Sequence, residues 1–327
     1  MTNIGFDPGY GNTKIYGNEG GVTLPSHVAM KQNGHLGRME GMQTRRPPLA
    51  VTVGERAFYV GAGAHDWGAP VESLDYARLS GSPEVRATLY AALSQYQRQH
   101  GTIARPITLM VGLPLGALGD EQRTIGAEMR GWLTGEHTWQ ANDVDHRVTI
   151  VQVLVTSQAT AALYDYVLDD DGRFLPNRAN HLNEEIGVVS VGFNTLELMV
   201  IREKRPLARF TGGSKHGVRA LLQTMNGNGS YSLGELDERL RAGQAGSADL
   251  ELWLSGVSGQ IEKQWGDRWR QFAQVIVVGG GALLLRGQLS GYFRGKCHIP
   301  DEPVLAVARG MHKLLRLRDG RQTGGSQ

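Results

Sequence analysis

The residues with the clearest chemical potential lie at the start of the chain. Asp7 ends an apolar run that begins at Ile4, and two glycines, Gly9 and Gly11, then allow a sharp turn into a second β-prone run over residues 13–16. Because glycine has no Cβ, backbone N–H groups at such a turn can approach an anion closely. The pattern predicts a β-hairpin that binds phosphate at its tip, with four binding residues: Gly9, Tyr10, Gly11 and Asn12.

Two charged side chains flank this tip. Asp7 would repel a phosphate but can hold a hydrated Mg²⁺ that binds one, and Lys14 supplies a positive charge nearby. The ordinary alternative is a glycine-rich hairpin in which Asp7 only forms an Asx turn. The first fifteen residues do not decide between these two interpretations.

A second segment of the same design favours the phosphate interpretation. Residues 186–201 again form a β-prone run, a short polar turn and another β-prone run. The predicted binding residues of this turn are Gly192, Phe193, Asn194 and Thr195. Two similar hairpins indicate two related halves that bind one ligand from opposite sides.

Further glycines follow in the second half of the chain. The apolar run 275–278 leads into Gly279, Gly280 and Gly281, which are expected to open a helix whose N-terminus suits a nucleoside or phosphate. A glycine pair, Gly212 and Gly213, precedes another predicted helix and could present N–H groups to the same anion. A single glycine cluster is weak evidence for a phosphate or nucleoside site, but three glycine elements in this order are strong evidence.

In this order the motifs resemble the actin/Hsp70/sugar-kinase ATPase superfamily. The matching stretches are D-x-G-x-G-N-x-K from Asp7, V-T-S-Q-A-T-A-A from Val155, V-G-F-N-T from Val191 and V-V-G-G-G-A from Val277. The Gly-Asn pair and the G-F-N-T turn are most similar to the prokaryotic actin-like proteins, namely the plasmid-segregating ParM/StbA type and its archaeal relatives. The resemblance runs from Ile4 to about residue 315. It implies an α/β fold of two related domains, each a mixed sheet covered by helices, with the nucleotide between them.

The resemblance also implies roles for individual residues. The cofactors would be ATP (or GTP) and Mg²⁺, Asp7 would be the metal-side and catalytic carboxylate, and Gln158 would orient the attacking water. The alternative for Gln158 is that Thr156 or Ser157 caps a helix and Gln158 is incidental. The sequence departs from the family at Ser190, where relatives carry an Asp, and Glu197 is a weak candidate to compensate.

Composition narrows the classes of function. With 34 Lys plus Arg against 32 Asp plus Glu the net charge is +2, so no basic field favours direct binding of nucleic acid. A single cysteine, Cys297, excludes an intramolecular disulfide and suits a reducing compartment. No apolar run approaches the roughly 18 residues of a membrane helix, and the first residues lack a signal-peptide pattern, so a cytoplasmic location is expected.

The spacing of hydrophobic residues predicts the helices and strands on which the motifs lie. It predicts a helix over Pro83–His100, a buried strand over Ile107–Val111, a helix from about Asp120 to Leu133 and a mostly helical region from Leu236 to Trp269. The predicted domains are 1–156, with a small insertion at about 22–80; 157–302; and 303–327, a helix that returns to the first domain followed by a polar tail. The stretch 34–48, with Arg45 and Arg46, is expected to be an exposed loop. The resemblance implies that it contacts a neighbouring subunit, and the alternative is a solvated loop without such a role.

These observations predict an actin-like ATPase whose nucleotide hydrolysis controls polymerisation. Its expected partners are copies of itself and a DNA-binding adaptor in plasmid segregation, without direct contact to nucleic acid or membrane. Two alternatives stay open: a small-molecule kinase of the same superfamily acting on a sugar or acid, and a nucleotide-binding scaffold that does not hydrolyse. A kinase would need a catalytic Asp facing an acceptor pocket, whereas Ser190 favours the scaffold.

Overall fold

A computed structural model describes residues 1–32, 46–119 and 124–324 of the chain. Most of the predicted loop at 34–48, including Arg45, lies outside the described residues, and so do the first residues of the helix predicted from Asp120. The described part of that helix runs from Ile125 to Leu133.

Strands and helices alternate along much of the chain. The strands are β1 (Thr2–Pro8), β2 (Asn12–Gly17), β3 (Gly20–Pro25), β4 (Val28–Lys31), β5 (Leu49–Val53), β6 (Arg56–Val60), β7 (Gly68–Pro70), β8 (Ile107–Leu113), β9 (Gly135–Ala141), β10 (Val144–Ser157), β11 (Glu185–Val191), β12 (Leu196–Arg202), β13 (Arg205–Pro206), β14 (Gly212–Ser214), β15 (Gln274–Val278) and β16 (Cys297–His298). The α-helices are α1 (Pro83–His100), α2 (Ile125–Leu133), α3 (Gln158–Val167), α4 (Pro176–Ala179), α5 (Val218–Met225), α6 (Leu233–Arg241), α7 (Ser247–Trp265), α8 (Gly281–Leu284), α9 (Arg286–Phe293) and α10 (Ala306–Gly324).

The first sheet has ten strands in the order β3-β2-β1-β8-β10-β9-β5-β6-β4-β7. Its centre is parallel, because β8 pairs in that direction with both β1 and β10, and its other pairs are antiparallel. All seven residues of β8 are buried, as expected for a strand covered on both faces. Along β1 the alternation of side chains sends Ile4 and Phe6 into the core that contains α1, whereas Gly5 lies against Ala308 of α10.

The segment expected to form an insertion is part of this same sheet. Strand β3 pairs with β2 at one edge, and β5 joins β9 so that β4 to β7 extend the other edge. Strands β5 and β6 pair as an antiparallel hairpin that turns at residues 54 and 55.

The second sheet has the order β13-β12-β11-β15-β16, and β14 pairs with β12. Strands β11, β15 and β16 are parallel, and the hairpin of β11 with β12 is antiparallel. Trp253, Trp265 and Trp269 belong to the core of this half. Gly212 and Gly213 precede a helix as predicted, since α5 begins at Val218, but they do not lie at its start: they form β14, whose backbone pairs with β12.

Two helices join the halves. Helices α3 and α10 pack on each other within a third core cluster that takes residues from both sheets. At their crossing a Cβ on Gly310 would lie 1.9 Å from the Ala161 carbonyl oxygen, so the close approach requires glycine. Asp165 of α3 accepts hydrogen bonds from Arg309 of α10 at 2.8 and 2.9 Å.

The predicted α/β class, with two mixed sheets covered by helices, is confirmed by this architecture. The last helix, α10, packs on β1, β2 and β8 of the first sheet. Among the described residues, none of the helices is both long and apolar enough to span a bilayer.

Candidate functional site

A cavity of about 370 Å³ separates the two sheets at the tips of the two glycine hairpins. Its volume falls within the range of small-molecule sites, roughly 300–1,000 Å³. Predicted site residues from both halves line it: Asp7, Gly9, Tyr10, Gly11, Asn12, Lys14, Gln158, Gly192, Phe193, Asn194, Thr195, Gly279 and Gly280. Residues far apart in sequence therefore meet at one cavity.

The carboxylate of Asp7 accepts hydrogen bonds from two of the other candidate residues, Lys14 and Gln158. It pairs directly with Lys14 across the β1–β2 ladder, and the Lys14 Nζ donates to Asp7 Oδ2 at 2.8 Å. The Gln158 Nε2 donates to Asp7 Oδ1 at 2.8 Å. Asp7 is only 2% exposed, so both carboxylate oxygens are buried and hydrogen-bonded.

The position of Gln158 follows from the start of α3. Strand β10 ends at Ser157, whose side chain accepts a hydrogen bond from the Thr160 N–H at 2.9 Å and so caps the helix. The alternative expected for this segment is therefore correct about the cap. The side chain of Gln158 is not incidental, however, because it projects to Asp7 from the first helical position.

The first residues of α5 hold the second turn, residues 192–195, through hydrogen bonds. The Gly192 N–H donates to the Thr195 carbonyl at 2.9 Å and closes the turn, and the N–H of Val218 donates back to the Gly192 carbonyl at 3.0 Å. Arg219 Nη1 donates to Asn194 Oδ1 at 3.2 Å and fixes that side chain. The start of α5 thus fixes the turn in place.

The two turns touch each other. A Cβ at Gly11 would lie 2.9 Å from Phe193 Cβ, a distance that real Cβ atoms essentially never show. The absence of a side chain at Gly11 is what allows the turns to meet over the cavity.

Three of the predicted glycines do not line the cavity. Gly281 is buried against Val191 at the start of α8. Gly212 and Gly213 lie in β14, opposite Leu198 and Glu197 of β12.

Helix α6 supplies cavity residues that the sequence analysis missed. Arg241 Nε donates to Asp237 Oδ2 at 2.8 Å, and Arg241 Nη2 reaches across the cavity to Asn12 Oδ1 at 3.2 Å. In the sequence, Asp237 and Arg241 are an ordinary i,i+4 ion pair, so no local signal distinguishes them from surface charges. The remaining wall is apolar and includes Leu240, Leu283, Leu284, Val304 and Val307.

Glu197 lies directly opposite Ser190 in the β11–β12 ladder. It is 2% exposed, and one carboxylate oxygen accepts the Leu115 N–H of the first half at 2.8 Å, whereas the other has no partner in the described chain. Burial raises the pKa of Glu197 to about 8; the Leu115 hydrogen bond opposes this rise and the charge of Asp7 adds to it. Glu197 therefore holds a proton at neutral pH.

The donor atoms fit a hydrated divalent cation better than one held by protein ligands alone. Asp7 and the hydroxyl-bearing residues Ser190 and Thr195 line the cavity. No group of three His, Cys, Asp or Glu residues within the described ranges could hold a metal. Mg²⁺ keeps most of its waters and commonly uses one or two carboxylates together with phosphate oxygens, so the site suits Mg²⁺ that arrives with a phosphate ligand.

Comparisons with known proteins agree with this geometry. Residues 5–160 match the family described as "Actin like proteins N terminal domain". No curated protein matches the chain.

Solved structures match over nearly the whole chain. Apo pSK41 ParM is 14% identical, with 98% of both chains covered and a TM-score of 0.74. A ParM from a 15-stranded filament of Clostridium botulinum is 18% identical, with 98% and 99% covered and a TM-score of 0.74. The archaeal actin homologue Ta0583 in complex with ADP is 19% identical, with 99% and 100% covered and a TM-score of 0.71.

These matches establish the actin-like fold. Together with the family match they confirm the resemblance to the prokaryotic actin-like proteins that the sequence motifs indicate.

Proposed function

We propose that this actin-like chain binds ATP or GTP with Mg²⁺ in the cavity, hydrolyses it, and forms filaments whose assembly depends on the bound nucleotide. The observation that carries the proposal is the meeting of two glycine turns over one cavity, with Asp7 bonded to both Lys14 and Gln158. The ADP complex of Ta0583 supports the choice of a nucleotide.

The cavity divides into a polar and an apolar end. Backbone N–H groups of the turns at 9–12 and 192–195, with Lys14, would bind the phosphates, and the apolar wall beside α6 and α8 suits the base. Mg²⁺, held by Asp7 through water, would neutralise phosphate charge. Gln158 would position a water for in-line attack, since this chemistry depends on positioning and charge neutralisation.

The comparison with filament-forming proteins supports the proposal that this chain assembles. ParM from Clostridium botulinum and Alp12 are both described as filaments. We propose the same for this chain, with copies of itself as the first partner, a cytoplasmic location and a DNA-binding adaptor linking the filament to a plasmid. Loss of the γ-phosphate would then shift the population toward a conformation with weaker subunit contacts.

Right-angle light scattering and phosphate release, recorded together after ATP is added, test the proposal. Scattering should rise first, and phosphate should follow as the filaments age. A rise without phosphate would identify a scaffold that does not hydrolyse, consistent with Ser190 in place of an acid. Phosphate transfer to an added sugar or acid without scattering would identify a kinase.

A further inference from the structure

A second, smaller cavity of about 50 Å³ borders the first. Tyr10 and Phe193 line both cavities, so one wall is shared with the predicted phosphate turns. Since roughly 10–15 Å³ of such space holds one water, the second cavity has room for a small inorganic ion or a few waters.

Four side chains that line this cavity carry buried polar atoms with no hydrogen-bond partner in the described chain. The atoms are the Tyr10 hydroxyl, His27 Nδ1, both ring nitrogens of His65 and Arg78 Nε. Buried polar groups almost always have a partner. Arg78 Nε, the Tyr10 hydroxyl and one ring nitrogen of His65 can donate, so an occupant with acceptor atoms would satisfy them, whereas His27 Nδ1 lies 3.7 Å from Glu238 Oε1.

The buried guanidinium of Arg78 indicates that the occupant carries a negative charge. Its side chain is 8% exposed, donates through Nη2 to the Pro8 carbonyl at 2.8 Å, and lies over the Tyr10 ring at 3.9 Å from the centroid. Burial lowers the pKa of Arg78, yet a guanidinium stays protonated in proteins. None of the ion pairs formed within the described chain includes it.

Two carboxylates, those of Glu72 and Glu84, also line the cavity and would repel a bound anion. Glu72 is exposed and Glu84 is half-buried. Water screens both charges more than it screens the buried guanidinium. His65 adds a donor without adding charge, because burial, reinforced by His27, lowers its pKa and the neutral ring keeps one N–H.

We infer that the second cavity is a binding site for a small inorganic oxyanion, held by Arg78 and His65. Its natural occupant would be orthophosphate released at the adjacent turns, an identification that rests on the proposed function. The anion site itself does not depend on hydrolysis.

A phosphate held there would leave the protein more slowly than it is formed. Both halves of the molecule close this cavity, since Gly234 of α6 packs against His65: a Cβ there would lie 2.4 Å from the His65 Nδ1. Release would therefore be linked to the relative position of the two halves.

Isothermal titration with orthophosphate tests the site directly. The protein is first saturated with a non-hydrolysable ATP analogue, so that the phosphate turns are filled, and is also titrated without nucleotide. His65→Leu removes both ring nitrogens and keeps apolar volume, and should weaken phosphate binding about ten-fold or more. His100→Leu is the matched control: His100 is also half-buried with an unpartnered ring nitrogen, but it lies at the far end of α1.

The inference is supported by saturable binding that His65→Leu weakens and His100→Leu leaves within two-fold. Absence of saturable binding to the wild type, or equal binding by the two variants, would show that the cavity holds water only. Arg78→Met should bind no phosphate. If that variant does not fold, the comparison of His65→Leu with His100→Leu still tests the inference. A chain that binds phosphate but does not hydrolyse ATP would remove the proposed function and leave the site.

Discussion

The carboxylate of Asp7 is the point at which three candidate residues meet, and its removal is the most direct test of the site. Asp7→Ala deletes the carboxylate that accepts hydrogen bonds from both Lys14 and Gln158. Loss of a metal-side ligand costs several kcal/mol of transition-state stabilisation, so we expect Mg-dependent hydrolysis to fall by at least about 100-fold.

Phosphate release at saturating nucleotide measures this effect, and circular dichroism checks the fold. Asp170→Ala is the control, because Asp170 is an exposed carboxylate whose side chain is 86% accessible. Hydrolysis by the Asp7 variant at the wild-type rate would remove Asp7 from the mechanism.

Gln158→Ala separates binding from hydrolysis. Among the described residues the side chain hydrogen-bonds to Asp7 and to neither phosphate turn, so nucleotide affinity and assembly should persist while hydrolysis slows by about 100-fold, the loss expected when a reacting group is no longer held in position. Filaments of this variant should last longer in sedimentation assays. Gln152→Ala, at an exposed position on β10, is the control, and rapid phosphate release from the Gln158 variant would contradict the assigned role.

Glu197 predicts a pH dependence of stability. Its pKa in the folded chain is about 8, above the ordinary value of 4.5, so between these values the folded state binds more protons than the unfolded state. Stability should therefore fall as pH rises from about 4.5 to 8, at up to about 1.4 kcal/mol per pH unit from this group. Glu197→Gln keeps an acceptor for Leu115 and should flatten that slope.

Urea denaturation of the nucleotide-free protein at several pH values between 5 and 8 measures the slope. Glu184→Gln is the control, since Glu184 is an exposed acid just before β11. The hypothesis fails if the Glu197 variant keeps the wild-type slope.

Local sequence chemistry predicted the individual site residues better than their contacts. Asp7 and Lys14 were identified from the turn pattern and Gln158 from the family resemblance, but the hydrogen bond from Gln158 to Asp7 joins residues 151 positions apart. Arg241 and Asn12 are 229 positions apart. The first pair depends on the strand order of the first sheet, in which β8 separates β1 from β10, and the second on how the two halves are placed; no local pattern encodes either arrangement.

At the level of elements, the contact between α3 and α10 depends on one missing side chain. Gly310→Ala would place a Cβ against backbone atoms of Ala161, which cannot move as a flexible side chain can. Overpacking of this kind costs about 1–3 kcal/mol. Thermal or urea denaturation should show that loss.

The same helix offers a matched control. A Cβ at Gly320 would meet nothing within 4 Å, so Gly320→Ala should be neutral or should stabilise the helix by up to about 1 kcal/mol. Equal stability of the two variants would show that the helices separate easily at Gly310.

Helix and strand existence was more predictable than the role of short glycine segments. Helix α1 and the hairpin of β5 with β6 follow directly from periodicity and turn residues. Gly212 and Gly213 were misassigned because a glycine pair before an amphipathic run is typical of a helix start, whereas here the exposed ladder of β12 pairs with them. Pairing with the nearby strand β12 outweighed local preference.

At the scale of the whole molecule, polar contacts close the cavity between the two halves. His27 Nε2 lies 3.1 Å from Asp237 Oδ2, and the Gly63 N–H donates to Glu238 Oε1 at 2.7 Å. His27→Ala removes one of these contacts while Asp237 keeps Arg241. We expect nucleotide to dissociate about ten-fold faster or more, since a lost hydrogen bond to a charged group costs about 1.5–3 kcal/mol.

Stopped-flow displacement of a fluorescent nucleotide measures that rate. His146→Ala is the control, because His146 stacks on Trp139 far from α6 along the first sheet. An unchanged dissociation rate in His27→Ala would mean that this contact does not help to retain the ligand.

The crossing of α3 and α10 has a mechanical consequence. Where backbone approaches backbone at Gly310, sliding is blocked, so rotation about this crossing is the movement left to the two halves. Displacement under rotation grows with distance from the axis. Helix α10 packs on β8. Strand β7 lies six strands away from β8 at the edge of the sheet, a distance of roughly 30 Å. A rotation of a few degrees at the cavity would thus move that edge by ångströms, enough to make or break contact with a neighbouring molecule.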